Sequence, residues 1–316
     1  MADCRLSVVV PCRDYGQYLS DAVESVLRQE GFGDGLEVIV VNDHSTDPAT
    51  LERLSHWRTA DPRVRVIDNP GRSGAAAARN VGIAEASGEW TAFLDADDVW
   101  VPGGLQARWR VVDAYPEAQW IGADFKRLRQ DGTCDAEGFF QTRSVDHPRL
   151  RHAYESGATL RLVKPVPDFL RMSLGWTSTV LARKALLLRV GGFEAGLGNY
   201  EDHHLWIRLA RHTDFYFVPE VVTIYRDHAA SVSRREGPPA YWYIAALRML
   251  GSDPDFRPYR KLIRHKLALL FAQNMYYHRT RGEIGRAIVA AGQAVLRHPS
   301  RAGYWKNLLA VLLRRR

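Results

Sequence analysis

The chain has 316 residues, 46% of them hydrophobic and 25% charged, the balance of a globular protein and not of a disordered one. That length allows one large domain, or one domain with an appendage. The formal net charge of +7 favours anionic partners (nucleic acid, acidic lipid or a phosphorylated substrate), and much of the excess lies late, at Arg257, Arg260, Lys261, Arg264, Lys266 and Arg314–Arg316.

Leu6–Pro11 is a β-branched run that reads as a buried strand, and Tyr15–Gln29 places Leu19, Ala22, Val23, Val26 and Leu27 at helical spacing. A second buried strand follows at Glu37–Asn42. A helix opens at Pro48 behind the capping residues Ser45, Thr46 and Asp47. Val64–Ile67 is a third strand, Gly74–Ala86 an Ala-rich helix and Trp90–Leu94 a fourth strand. Pro102 opens a helix that ends near Tyr115. This alternation predicts an α/β fold: a doubly wound, mostly parallel sheet with helices on both faces. Residues 126–175 read as a loop-rich insertion. Regular structure returns at Thr177–Leu181, then as helices at Lys184–Val190 and Asp202–His212, with late strands at Phe215–Val218 and Val221–Tyr225. Beyond Pro239 the pattern is helical only, at Tyr241–Leu250, Tyr259–Thr280, Ile284–His298 and Tyr304–Arg316. The expected division is a catalytic domain over 1–236 and an all-helical C-terminal extension over 237–316. The catalytic domain divides again, into a nucleotide-binding part over 1–125 and an acceptor part over 126–236.

In such a sheet ligands bind beyond the carboxyl ends of the strands. Three strand ends there carry carboxylates: Asp14 after Pro11-Cys12-Arg13, Asp43 before His44-Ser45, and Asp95-Ala96-Asp97-Asp98. The Asp-x-Asp turn suits a hard divalent cation shared with substrate phosphates, and its crowded charges would raise their own pKa values without one. Asp43 is placed to accept a hydrogen bond from a nucleobase. Arg79, on the small-residue helix Ala75–Ala78, offers a guanidinium fork to a diphosphate. Glu201 and Asp202 open a helix, where its dipole favours them, and either a cap or a general base fits. His228, in Tyr225-Arg226-Asp227-His228-Ala229-Ala230-Ser231-Val232-Ser233, is a candidate metal or phosphate ligand. His203 and His204 lack metal-ligand spacing and read as structural. No dinucleotide Gly-x-Gly-x-x-Gly, phosphate loop, His-Glu-x-x-His or nucleophile elbow is present. Cys4, Cys12 and Cys134 have neither zinc nor redox spacing.

The ordered set VVVPCRDYGQYLSDAVESVLRQ, VIVVNDHSTD, GRSGAAAARNVGIAEASGEW, FLDADD, GGFEAGLGNYEDHHLWIRLA and YRDHAASVS resembles the family 2 glycosyltransferases of bacterial type, over about residues 5 to 233. The resemblance implies the GT-A fold and an inverting transfer of sugar from a nucleotide-diphosphate sugar, a UDP-sugar first, to an acceptor hydroxyl in polysaccharide, glycolipid or glycoconjugate synthesis. It implies Pro11, Arg13 and Asp43 around the base, and Arg79 and Asn80 near the ribose or diphosphate. Asp95 and Asp97 would hold Mn²⁺ or Mg²⁺, with Asp95 shared with the ribose. Asp202, beside Glu201, would be the base, Trp176 would line the sugar or acceptor site, and His228 would close over the diphosphate. Two positions depart from the pattern: Asp14 stands where the family often has Asn, and His44 where it often has Gly.

A nucleotidyltransferase is the rival enzyme class, but PCRDYG is not the Gly-rich Arg-Lys signature such enzymes carry. An inactive nucleotide-sugar-binding module is the non-enzyme rival, and intact Asp95, Asp97 and Asp202 argue against it. No nucleic-acid recognition motif accompanies the charge. No apolar run reaches the roughly 18–20 residues of a bilayer span, and the N-terminal apolar stretch is too short for a signal peptide. The expected location is cytoplasmic, either soluble or peripheral at the inner face of the membrane. There the basic C-terminal helices could rest on anionic lipid and present a lipid-linked acceptor, or else simply cap the catalytic domain.

Overall fold

A computed structural model describes residues 4–228 and 240–313. The expected boundary at 236/237, Ser231–Ser233 and Arg314–Arg316 lie outside those residues.

The front of the sheet is built from β1 (Leu6–Cys12), β2 (Leu36–Asn42), β3 (Val64–Asp68) and β4 (Trp90–Phe93). They lie in the order β3-β2-β1-β4, all parallel, with Leu6 opposite both Leu36 and Trp90. Alternation along β1 divides the core. Val8 and Val10 face one apolar layer and Val9 the other, so both faces are covered and the strand is apolar throughout.

Helices α1 (Gly16–Leu27), α2 (Pro48–Trp57) and α3 (Ala75–Glu85) connect these strands. Asp47 caps α2 by accepting from the Thr50 amide at 2.8 Å, with Pro48 at the first helical position. α3 packs against β1 so closely that a Cβ at Gly82 would lie 2.3 Å from Val9. The small residues of α3 are therefore a packing requirement.

Beyond β4 the sheet becomes mixed. β5 (Val99–Trp100), α4 (Gly104–Ala114) and β6 (Trp120–Leu128) come next in the chain. The segment expected to be irregular holds a 3₁₀ turn at Ser144–Asp146 and the short elements α5 (Pro148–Ser156), β7 (Leu160–Leu162) and α6 (Val166–Arg171). None is long enough to show a period. β8 (Leu181–Arg183), α7 (Lys184–Arg189), α8 (Glu201–Ala210) and β9 (Phe215–Arg226) follow. β8 sits antiparallel between β4 and β6, β6 runs parallel to β9, and β5 and β7 pair antiparallel with β9. Thr177–Thr179 is a single 3₁₀ turn ahead of β8, not part of a strand. The two late strands expected at 215–218 and 221–225 are one, and its register with β6 shifts around Asp124.

The C-terminal helices are α9 (Tyr241–Ser252), α10 (Arg260–Thr280), α11 (Ile284–Arg297) and α12 (Ala302–Leu312). Ile244 and Leu247 of α9 and Ile263 and Leu267 of α10 join the same apolar layer as Phe169 of α6 and Trp206 of α8. α11 and α12 enclose a smaller cluster around Met275, Ala287 and Val311. Among the described residues no helix is long and apolar enough to cross a membrane. All three cysteines are free thiols.

Candidate active site

The crevice opens where β1 and β4 part. Leu94 donates its amide to the Val9 carbonyl, after which β4 has ended. Pro11 has the same parity as Val9, so its missing N–H points to the side where no strand remains to pair with it. β1 therefore tolerates a proline in the middle of the sheet, and the gap is the switch point at which such sheets bind ligands.

Asp43 lies on one side of this gap and is buried. Its carboxylate accepts from Asn69 Nδ2 at 2.7 Å, Ser73 Oγ at 3.0 Å and the Gly74 amide at 2.8 Å. A carboxylate has about four lone-pair sites, so three internal bonds fix its direction and leave capacity for one more donor. Arg13 is exposed and donates to Ser73 Oγ at 2.6 Å, which ties it to the same cluster. The two departures noted in the sequence both sit in the left-handed region, Asp14 at φ 57° and His44 at φ 59°. Asp14 accepts from the Thr46 and Asp47 amides, and His44 Nε2 bonds to the Gly71 carbonyl. Asp tolerates that conformation readily. A histidine adopts it at a cost that glycine would avoid.

On the other side, the turn after β4 gathers three carboxylates. Asp98 is buried, accepting from Ser178 Oγ at 2.6 Å and from the Arg226 amide at 3.2 Å. Asp97 accepts from His228 Nε2 at 2.8 Å, and the imidazole stacks on Tyr18. Burial, together with the neighbouring acids of the turn, raises Asp97 above the usual carboxylate range and Asp98 well above it. Asp95 is the most open of the two Asp-x-Asp side chains, at 30% against 13% for Asp97, and it accepts from Arg79 at 2.6 Å. Among the described residues no three His, Cys, Asp or Glu side chains are gathered tightly enough to hold a metal alone. The hard oxygen donors of Asp95 and Asp97, on a turn whose charges crowd one another, fit a divalent cation that takes its remaining ligands from phosphate and water.

Arg79 is buried, and both terminal nitrogens are engaged, one by Asp95 and the other by Glu201 at 2.8 Å. The guanidinium thus bridges the metal-type turn and the start of α8. Asn80 turns both of its polar atoms to one residue. Its Oδ1 accepts from the Phe193 amide at 2.7 Å and its Nδ2 donates to the Phe193 carbonyl at 2.8 Å. A Cβ at Gly192 would lie 2.4 Å from Asn80 Oδ1, which accounts for the glycine there.

Asp202 follows Glu201 in the first turn of α8 and accepts from the His203 amide at 2.6 Å and from Thr177 Oγ1 at 3.2 Å. Burial and the adjacent Glu201 charge push its pKa up to about 7. His203 and His204 are buried, and desolvation pushes both down to about 3. His203 Nε2 meets the Tyr243 hydroxyl of α9 at 2.8 Å, so the helix that starts at the acid pair is anchored to the C-terminal helices. Trp176 stacks on Phe125 with centroids 4.6 Å apart and meets Tyr225 edge-on at 5.0 Å.

The connector between the two acid clusters carries no motif in the sequence. In the 3₁₀ turn at 177–179, Thr177 bonds to Asp202, while Ser178 Oγ bonds to Asp98 and accepts from the Asp95 amide at 3.2 Å. The Ser178 carbonyl accepts from Trp100 Nε1 and Thr223 Oγ1, and the Thr179 carbonyl accepts from the buried Arg108. Three hydroxyl residues in a row, Thr177-Ser178-Thr179, were the only trace of this in the sequence. Asn69 belongs to no motif either, although it lies directly beyond β3, one of the strand ends where ligands gather.

Residues 7–142 match the family described as glycosyl transferase family 2. The chain is 33% identical over 106 residues to the UDP-Glc:α-D-GlcNAc-diphosphoundecaprenol β-1,3-glucosyltransferase WfgD of Escherichia coli, covering 34% of this chain and 40% of that one. It spans about a third of the length of the first curated relatives it matches. Its fold is similar to that of S. aureus TarS 1–349 solved in complex with UDP-GlcNAc, with TM-score 0.67 and 18% identity over 97% of this chain and 90% of that one. It also resembles the mannosyltransferase PcManGT from Pyrobaculum calidifontis, solved with GDP-Man and Mn²⁺, with TM-score 0.55 and 20% identity over 98% and 85% of the two chains.

Proposed function

Since the chain belongs to glycosyl transferase family 2, with the GT-A fold, we propose that it transfers a sugar from a nucleotide-diphosphate sugar, a UDP-sugar first, to an acceptor hydroxyl with inversion. The observation that carries this reading is one turn serving two stations. Ser178 holds the Asp-x-Asp loop, and Thr177, its neighbour, holds a carboxyl lifted to about 7.

Asp43, with one acceptor site spare, takes an N–H from the base, flanked by Pro11 and Arg13. Asp95 and Asp97 would hold Mn²⁺ or Mg²⁺, with Asp97 positioned by its bond to His228, and a bound cation would supply positive charge to offset what builds on a departing diphosphate. Asp202, ionised above about pH 7, accepts the acceptor's hydroxyl proton as that oxygen attacks the anomeric carbon. Glu201 acts through Arg79: the ion pairs Glu201–Arg79–Asp95 hold base and metal turn at a fixed separation. Trp176 offers a ring face to sugar. Arg79, buried and doubly paired, is a bridge rather than a phosphate fork.

A lipid-linked acceptor at the cytoplasmic face of a membrane suits the far end of the molecule. Between residues 260 and 313 ten Lys and Arg face one acid, Glu283. On α12, Trp305, Leu309 and Leu312 are exposed at helical spacing. Salt-sensitive sedimentation with vesicles containing anionic lipid tests that contact, and no binding at low salt removes it.

Calorimetry with UDP, GDP and dTDP, each with and without Mn²⁺, tests the reaction class on the wild type and Asp97→Ala. The expected result is metal-dependent binding of one nucleotide, UDP, that is lost in the variant. Failure to bind any of the three overturns the reading.

A further inference from the structure

A second concavity lies beyond the aromatic box around Trp176. After β6 the chain folds back on itself. The Asp135 amide donates to the Arg127 carbonyl and the Phe139 amide to the Phe125 carbonyl, both within 2.9 Å. Buried Asp124 secures this return, accepting from the Phe140 amide at 2.8 Å, the Gln141 amide at 3.1 Å and the Tyr154 hydroxyl at 2.5 Å. A Cβ at Gly138 would lie 2.0 Å from the Asp124 carboxylate, so the return is drawn tight.

Between the return and the end of β6 is a cavity of about 470 Å³, whose wall carries three cations, Arg127, Arg129 and Arg143, against two acids, Asp135 and Glu137, together with Phe139 and Thr142. Arg129 is neutralised by its ion pair with Asp135. Arg127 and Arg143 have no carboxylate partner among the described residues. The Arg143 guanidinium lies 3.5 Å from the Phe139 ring centroid and that of Arg127 at 5.9 Å. Arg143 spends one Nη on the Phe139 carbonyl, and Arg127 Nε is buried without a hydrogen-bond partner. Two cations held against one ring, with donors left over, make a site short of an anion. Burial and the nearby Arg127 charge lower the Arg143 pKa, as expected of crowded cations.

Packed side chains connect the wall of the cavity to Asp202. Phe139 stacks on Phe125 with centroids 4.6 Å apart, Phe125 stacks on Trp176 at the same spacing, and Thr177, next in the chain, donates to Asp202. The donor side, around Asp43 and Asp95, lies at the ends of β2 and β4. The cavity is thus joined through packed side chains to the residue that holds Asp202, rather than to the strand ends that carry Asp43 and Asp95.

We propose that Arg127 and Arg143 form the acceptor subsite for an anionic group, a phosphate or a carboxylate carried by the glycan whose hydroxyl is glycosylated. The proposal rests on the glycosyltransferase reading. It adds that the acceptor is charged and names the residues that select it. The two guanidinium forks take the oxyanion.

Three soluble oligosaccharides of equal length test it by calorimetry with UDP and Mn²⁺ present: one neutral, one ending in a diphosphate and one ending in a glucuronate. The protein is the full chain as wild type, Arg127→Lys and the double variant Arg127→Gln/Arg143→Gln. The wild type is expected to bind one anionic probe at least tenfold tighter than the neutral one, with affinity falling as salt rises. The probe that binds identifies phosphate or carboxylate. The double variant is expected to lose that preference while binding UDP as before, and Arg127→Lys to keep part of it. Equal binding of neutral and anionic probes, or a preference that survives the double variant, overturns the subsite while leaving the donor site in place. A wild type that fails to bind UDP overturns the transferase reading and, with it, the acceptor role of this cavity.

Discussion

The front four strands and the part of the molecule after β4 solve the same problem differently. In front, side chains are aimed by topology. β1, β2, β3 and β4 are parallel, and their carboxyl ends deliver Asp43, Asn69 and Asp95 to one edge. Behind, they are aimed by tertiary contacts. Thr177, Ser178 and Asp202 come from a turn and a helix start that are held by Trp100, Arg108 and Thr223 from distant parts of the chain. The charge divides as well: ten basic side chains to one acid over 260–313, in a chain whose total excess is only +7. A site aimed by topology is robust to side-chain loss, whereas one aimed by contacts should fail along with its contacts.

The largest expected effect separates chemistry from donor binding. Asp202→Asn should lower kcat by about 10²–10⁴-fold while UDP affinity stays unchanged; a parallel loss of UDP binding would undo the division. The pH profile follows from the same group. With its pKa at about 7, kcat/KM should fall about tenfold per unit as pH drops below 7, because the base must be ionised. Stability should run the other way. A carboxyl raised from 3.8 to about 7 in the fold stabilises when protonated, and that contribution disappears as pH climbs from about 4 through 7. Urea unfolding of wild type against Asp202→Asn should therefore show the wild type losing ground between pH 5 and pH 8.

Ser178→Ala should cost about 1–3 kcal/mol by stripping a partner from buried Asp98, and should lower kcat with it. Denaturant midpoints and initial rates measure both. Asn80→Ala should cost a similar amount or slightly less, yet leave nucleotide affinity alone, since both polar atoms of Asn80 are used on Phe193. A drop in UDP affinity would mean that the 191–193 turn shapes the donor pocket. The smallest effect is expected at His44→Gly. Relief of the left-handed backbone is offset by the lost bond to Gly71 and by glycine's extra freedom when unfolded, for a net change within about 1 kcal/mol.

The sequence made the front of the molecule legible because buried parallel strands are continuous apolar runs and their ends can be read by position. Asp43, Asp95 and Asp97 could be placed at strand ends that way, as could Asn69. The Glu201–Asp202 pair was legible as a helix start. The roles of Arg79 and Asn80 were not, since whether a guanidinium or an amide faces substrate or protein depends on Glu201 and Phe193, more than a hundred residues away. β7 and β8, with three residues each, carry no period to detect, and the Arg127–Arg143 cavity depends on a chain reversal organised by a single buried aspartate.

β8 has one more consequence. Three residues wide, it fills the slot between β4 and β6. Until the chain has been made through Arg183, β4 presents an open edge, and backbone groups that β8 later satisfies stay available to any passing strand. The stretch matched by the family, residues 7–142, stops short of that point. Expressed alone, it would contain Asp43 and the Asp-x-Asp turn but also a sticky seam down the middle of its sheet, so a soluble minimal fragment has to run past β8.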